Sequence, residues 1–282
     1  MFEYLQKILK EIDMPSSSSG HILLTFEKYD LNELENVISF YIDQTSNYEN
    51  ILQKFNELSD KYKVDHFEGY AVLMCLLTKK LRELYEKLGY SEEMFLNIAK
   101  DIKYKVEECE LVYSITGIFV PEWYKDIFQI KTFAFGRLQF QLCPFGLNYE
   151  NIKSHDKSVN IHIPRSGEPL LPSLVDASIN KASLFFKKEF NNGPILYRCN
   201  SWLLFPENKN ILNQNSNIIK FANRFKIINT TYFANYEESW RLFDCKFVDV
   251  SFLPSDSTLR RGYINLVKNK QKTGSSFGFF YR

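Results

Sequence analysis

The chain has 282 residues, 45% of them hydrophobic, 16% aromatic and 24% charged, a composition that suits a globular protein and excludes a disordered one. No apolar run approaches the roughly 18 residues that span a bilayer, and the opening MFEYLQKILKEID, amphipathic and of mixed charge, does not read as a signal peptide, so the expected location is the cytoplasm. The net charge of +1 hides a division: residues 1–130 carry 14 Lys and Arg against 23 Asp and Glu, residues 131–282 carry 21 against 11.

That reversal, from −9 to +10, favours a domain boundary near residue 130 and gives an anionic ligand its better host in the second half. Simple attraction between the two halves accounts for it equally well. The five cysteines (Cys75, Cys109, Cys143, Cys199, Cys245) form no CxxC pair, and His21, His66, His155 and His162 show no ligand spacing. Neither a disulfide framework nor a metal site is expected.

The first half reads as an all-α bundle. Phe2–Ile12 is a short amphipathic helix, Pro15 to Gly20 a flexible break, and HILLTF (His21–Phe26) an isolated extended segment. Asp30 caps a helix with Leu31, Leu34, Val37, Ile38 and Tyr41 at helical spacing. Asn47–Tyr62 repeats the pattern, Asp65–Leu88 is the longest candidate, and Ser91–Val106 makes one more. Pro121 opens a last short helix. Nothing in this half suggests chemistry.

From Thr132 strands alternate with helices. FAFGRLQFQL (Phe133–Leu142) reads as one strand with Arg137, Gln139 and Gln141 on one face, either a solvent-facing edge or a cleft wall. VNIHIP (Val159–Pro164) sets Asn160 and His162 opposite Val159, Ile161 and Ile163. A helix with a capping-box-like Ser173…Asp176 follows and stops at Asn191-Asn192-Gly193-Pro194. Then come the strand ILYRCNSWLL, a helix capped by Ser216, strands near Lys226–Tyr232 and Cys245–Phe252, a basic helix from Asp256 closed by Gly274, and the strand SFGFFY.

No nucleophile elbow, P-loop, dinucleotide fingerprint or kinase signature occurs, and the basic residues form no nucleic-acid module. The stretch Val159–Leu204 carries the candidate chemistry. A helix N-terminus offers backbone N–H groups and a positive dipole end to a phosphate, with Arg165, Ser166 and Gly167 in the loop that feeds it. The same Gly and Pro residues also serve any strand-to-helix turn. His162 titrates near neutrality and is the candidate general base, or else a hydrogen-bonded structural residue. On the next strand Tyr197, Cys199 and Ser201 share a face; Ser201 or Tyr197 is the candidate acid.

The element order strand, loop, helix, strand, helix and two further strands resembles the core of the GNAT acyltransferase superfamily. GRLQF (Gly136–Phe140), NIHIP (Asn160–Pro164), CNSWLL (Cys199–Leu204), SNI (Ser216–Ile218) and TLRR (Thr258–Arg261) resemble a bacterial family of acyltransferase-domain proteins, with a helical N-acyltransferase-type N-terminal domain and a GNAT-like C-terminal domain. The resemblance implies an α+β chain with a helical bundle at 1–130 and a GNAT-like mixed sheet flanked by helices at 131–282. It implies transfer of an acyl group from acyl-CoA, acetyl-CoA first, to the amine of a small molecule or peptide, with no metal and no nucleic acid. The cofactor would lie in a splay between Val159–Ile163 and Leu196–Leu204, with His162 as base, Ser201 or Tyr197 as acid and Arg165–Gly167 as the phosphate loop. A non-catalytic protein that binds a small ligand or a protein partner is the alternative.

Overall fold

The computed structural model describes residues 1–40, 48–233, 236, 239–246 and 249–282. The chain divides by its internal contacts into Met1–Ala134 with Pro164–Ser166, and Phe135–Ile163 with Gly167–Arg282.

The first unit contains α1 (Phe2–Glu11), α2 (Ser16–Phe26), α3 (Leu31–Ser39), α4 (Tyr48–Tyr62), α5 (His66–Lys87), α6 (Glu92–Ala99), α7 (Asp101–Tyr113) and α8 (Lys125–Phe128), with a 3-10 turn at Pro121–Tyr124. Helix α5 is its axis. Gly69 to Thr78 are buried without interruption, the pattern of a helix covered on all sides, and α1, α2, α4, α6 and α7 all pack on it. Its start is set by Asp65, whose carboxylate accepts the N–H of Phe67 at 2.8 Å.

Two expectations for this unit are corrected. Residues Ser16–Gly20 and HILLTF form one helix, α2, because Ser18, Ile22, Thr25 and Phe26 are buried at helical spacing behind Pro15. A short apolar run alone does not distinguish strand from buried helix. Likewise Ser91–Val106 is two helices, separated at Lys100, where the buried Asp101 carboxylate accepts the Trp123 Nε1–H at 3.0 Å. The expected helical positions Tyr41 and Asn47 lie outside the described residues.

The sheet contains β1 (Thr132–Phe135), β2 (Leu138–Pro144), β3 (Lys157–His162), β4 (Leu196–Ser201), β5 (Lys226–Phe233) and β6 (Thr273–Tyr281), in the order β1-β2-β3-β4-β6-β5. The strand expected over Phe133–Leu142 is therefore a hairpin. Gly136, with φ +63°, turns the chain there, and Arg137 belongs to the turn rather than to a strand face. Among the described residues only β3 and β4 are registered as a parallel pair, and the crossover between them is α9 (Pro172–Phe186).

Helix α9 begins with Pro172 as its first residue and has no side-chain cap, so Ser173…Asp176 is not a capping box. Asp176 instead pairs with Arg224, at 2.5 and 3.1 Å. Beyond β4 lie α10 (Asn208–Ile211), α11 (Asn217–Ala222), α12 (Ser239–Phe243) and α13 (Thr258–Lys268). Ser216 caps α11 as expected. The strand expected at Cys245–Phe252 does not form among the described residues; Val250–Phe252 is a 3-10 turn capped by Asp249, and Phe247 and Val248 lie outside them. Nor does Gly274 close α13, which ends at Lys268; Gly274 lies in β6.

Arg260, in the TLRR motif, is a packing residue. Its guanidinium donates to the Leu242 carbonyl at 2.8 Å and pairs with Asp244 and Asp256, which fastens α13 to the end of α12. The faces of the sheet differ. Tyr197 meets Ser183 of α9 on one, whereas Phe145, Phe277 and Phe279 build a separate apolar cluster on the other.

The bond to Arg224 holds the Asp176 carboxyl below its ordinary value. The pair therefore stabilises the native state fully above about pH 4, and that contribution fades as pH falls through the depressed native value. Asp176→Asn is expected to be less stable than wild type at neutral pH, with the difference closing as pH falls below about 4, the ordinary carboxyl value, and through the lower native one. Urea midpoints across that range check it.

Candidate active site

The parallel ladder between β3 and β4 has two registered pairs, Val159↔Tyr197 and Asn160↔Arg198, and ends there. On its other side β3 stays paired with β2 as far as Gln139↔His162, and β4 stays paired with β6 as far as Ser201↔Ser276. Each strand is thus held by its outer neighbour where its registered pairing with the other has stopped. The resulting gap in the ladder lies toward their C-terminal ends, between Ile161–His162 and Cys199–Ser201. The C-terminal ends of parallel strands are where open α/β sheets commonly place ligands.

Registered partners share a face, and alternate residues share it along each strand. One face accordingly carries Val159, Ile161, Tyr197, Cys199 and Ser201, with α9 over it. The other carries Asn160, His162, Arg198 and Asn200, together with Gln139 and Gln141 from β2. His162 is therefore not on the face of Ser201 and Tyr197. The structure places the candidate base and the candidate acids on opposite sides of one gap.

His162 is half-buried. Its Nε2 lies 2.9 Å from Gln141 Oε1 and 3.0 Å from Asn160 Nδ2. A proton on that nitrogen serves Gln141, and a lone pair serves Asn160, so both protonation states meet a partner. Asn160 Oδ1 is buried without a hydrogen bond. Turning the amide over would present that oxygen to a protonated Nε2.

Tyr197 is fully buried, stacked on Phe280 with ring centroids 5.2 Å apart. Its hydroxyl lies 2.8 Å from Ser183 Oγ, and since Ser183 already donates to the Ile179 carbonyl, Tyr197 is the donor. Burial raises its pKa, and the bond to Ser183 and the charge of Arg282 oppose that. Ser201, half-buried at the open end, accepts the N–H of Leu203 at 3.2 Å and so caps the 3-10 turn Trp202–Leu204. Its own O–H remains a donor.

The loop Ile163–Leu171 divides between the two units. Arg165 and Ser166 group with the helical unit, where Arg165 is near enough to Glu107 to act on its carboxyl; burial raises that pKa, with Lys103 and Arg165 opposing. Gly167, at φ +78°, groups with the sheet unit, and a Cβ there would meet nothing within 4 Å. Arg137 holds the rest of the loop: its Nε donates to the Glu168 carbonyl at 2.8 Å, and its backbone N–H goes to Ser178 Oγ at 2.9 Å. Sequence reasoning put Arg137 on a strand face and so missed this clamp. The uncapped first turn of α9 leaves backbone N–H groups without a side-chain acceptor, the condition under which a helix start receives an anion.

Comparison with known proteins places this sheet unit in a family. A family model described as GNAT-like C-terminal domain matches residues 132–280. The chain belongs to that family. No curated protein matches this GNAT-like chain. Among solved structures, an acyltransferase in complex with decanoyl-CoA and teicoplanin is similar over 98% of this chain and 86% of its own, at 20% identity and a TM-score of 0.82. An acyltransferase mutant in complex with octanoyl-CoA is similar over 98% and 87%, at 18% identity and 0.80. An acyltransferase in complex with CoA and 10C-teicoplanin gives 97% and 86%, at 18% and 0.74. The likeness extends through the helical half as well as the GNAT-like sheet, and at these identities it is one of fold. Among the described residues no helix is long and apolar enough to cross a membrane, and no group of three or more His, Cys, Asp or Glu is placed to hold a metal.

Cys199 borders the gap but is fully buried, and burial pushes its thiol up to about 12. Because the thiolate is the reactive form, it is unsuited to covalent catalysis. Treating native protein with iodoacetamide at about pH 8, where Cys199 is fully buried and well below its raised pKa, should leave Cys199 unmodified, and unfolding should make it react. Peptide mapping reads this directly.

Proposed function

We propose that the protein transfers an acyl group from acyl-CoA to an amine. The observation that carries this reading is the early end of the β3–β4 ladder, in a chain of the GNAT-like C-terminal domain family. Such a gap exposes strand N–H groups that can polarise a thioester carbonyl at the point where negative charge develops. The complexes of similar structures with decanoyl-CoA, octanoyl-CoA and CoA support an acyl-CoA as the donor and make longer chains candidates beside acetyl-CoA.

In this reading the cofactor approaches on the α9 face of the sheet unit, its phosphates near the uncapped first turn and Gly167; Arg165 and Ser166 are proposed for the phosphates from the sequence alone. The amine approaches on the face of His162. Amine nitrogen attacks the thioester carbon, His162 takes the proton released from nitrogen, the carbon–sulfur bond breaks, and the departing thiolate meets the Ser201 O–H. Attack and departure on opposite faces are what the split between His162 and Ser201 allows. Tyr197, at the closed end and committed to Ser183, is the weaker choice of acid. Gln141 and Asn160 give His162 a partner before and after it takes the proton. Residues 1–130 form the helical N-terminal domain, 131–282 the catalytic one, and the cytoplasm is the proposed compartment.

Calorimetry with acetyl-, octanoyl- and decanoyl-CoA tests the donor. Micromolar binding of one of them is expected, and absence of binding at about 1 mM sinks the reading. With an accepted amine, His162→Gln should lower kcat by roughly 10²- to 10⁴-fold, the range for loss of a general base, and leave the acyl-CoA Kd unchanged. A parallel loss of binding would make His162 structural instead.

A further inference from the structure

On the His162 face, beside the gap, lies an open cleft of about 230 Å³ lined by Gly146, Leu147, Arg198, Asn200, Asn229, Thr231 and Phe277. It belongs wholly to the sheet unit. Arg198 and Asn200 come from β4 and Phe277 from β6. Asn229, which pairs with Phe277, and Thr231, which pairs with Ser275, come from β5 and stand on the same face.

Arg198 is half-buried and has no carboxylate partner among the described residues. Its Nε and Nη2 donate to Cys143 Sγ at 3.3 and 3.0 Å, and its Nη1 donates to the Phe145 carbonyl at 3.1 Å. The guanidinium also lies over the Phe277 ring, 5.5 Å from its centroid. A guanidinium has five N–H donors, so one N–H on each terminal nitrogen is left over. Sulfur, carbonyl and ring fix the side chain, and one N–H on each terminal nitrogen remains to donate to a carboxylate.

The rest of the lining is consistent with that match. Asn200, Asn229 and Thr231 are neutral hydrogen-bonding groups, and no acidic residue lines the cleft. The nearby cation Lys226 is occupied by Glu150 at 2.9 Å. One positive charge with amide and hydroxyl neighbours suits a monoanion, not a phosphate dianion. By alternation from Asn160↔Arg198, His162 and Asn200 lie on the same face of the sheet, so the base and the cleft share that face.

We propose that this cleft selects the acceptor: an amine whose molecule also carries a carboxylate, held by Arg198, so that Arg198 is a specificity-determining residue. This rests on the acyl-transfer reading above for its role, though not for the binding itself. The test is calorimetry and ligand-observed NMR on the full chain, with glycine, β-alanine, phenylalanine and glycylglycine, each against its carboxamide. At least one carboxylate should bind roughly 10- to 100-fold more tightly than its amide, the usual effect of a hydrogen-bonded charge.

Arg198→Met should erase that preference, and Arg198→Lys, which keeps charge and bulk but not the fork, should leave only part of it. In both variants acyl-CoA affinity should stay within about twofold of wild type, which also verifies the fold. Equal binding of acids and amides, a preference that survives in a folded Arg198→Met, or no carboxylate binding at about 10 mM overturns the proposal. Carboxylate preference without any acyl-CoA binding would keep the cleft and discard the acyl-transfer reading, so the two fail separately.

Discussion

The proposed chemistry depends on one constraint, that registered pairing between β3 and β4 stops after two pairs. A strand end in a sheet interior is normally obliged to pair, because an unpaired buried N–H or C=O is costly. Here each strand keeps its outer neighbour, so the sheet does not fray and only the inner seam opens. Everything with chemical interest borders that seam: His162 and Asn160 on one lip, Asn200 and Ser201 on the other, the start of α9 on one face, and the Arg198 cleft on the other.

Residues that look ordinary one at a time tie together the elements around the seam. Arg137 holds the loop that follows β3 by its backbone. Ser178 joins that clamp to α9, and Ser183 joins α9 to Tyr197 on β4. Asp176 and Arg224 tie α9 to the segment after α11. The crossover helix is thus fastened along its length, at Asp176, Ser178 and Ser183.

Much of this was legible in the sequence, for reasons that differ by element. Period-2 alternation found β3 and β4, and their residue faces, because a half-buried strand leaves that trace directly. The early end of their pairing leaves none, since it is a relation between residues about 38 apart; only the resemblance carried by NIHIP and CNSWLL suggested it. HILLTF misled because a short apolar run fits both helix and strand, and burial decided. Gly136 was in plain view, yet alternation runs on through the hairpin on either side and hides the turn. Asp176 matched a capping pattern but had a stronger partner 48 residues away. In the sequence Arg198 falls with Asn200 on the strand face opposite Tyr197 and carries no role there; its significance comes from Cys143, Phe145 and Phe277, all remote in sequence.

The order of the sheet has a consequence for how the protein comes to be made. Strand β6, latest in sequence, lies between β4 and β5 and pairs with both. Until it is synthesised, β4 has only two registered pairs to hold it, both on its β3 side, and β5 has no neighbour in the sheet. Such distant pairing is slow to form and leaves strand edges exposed in the meantime. A ribosome-bound chain lacking those residues would have its helical bundle but could not yet join β4 and β5 into one sheet.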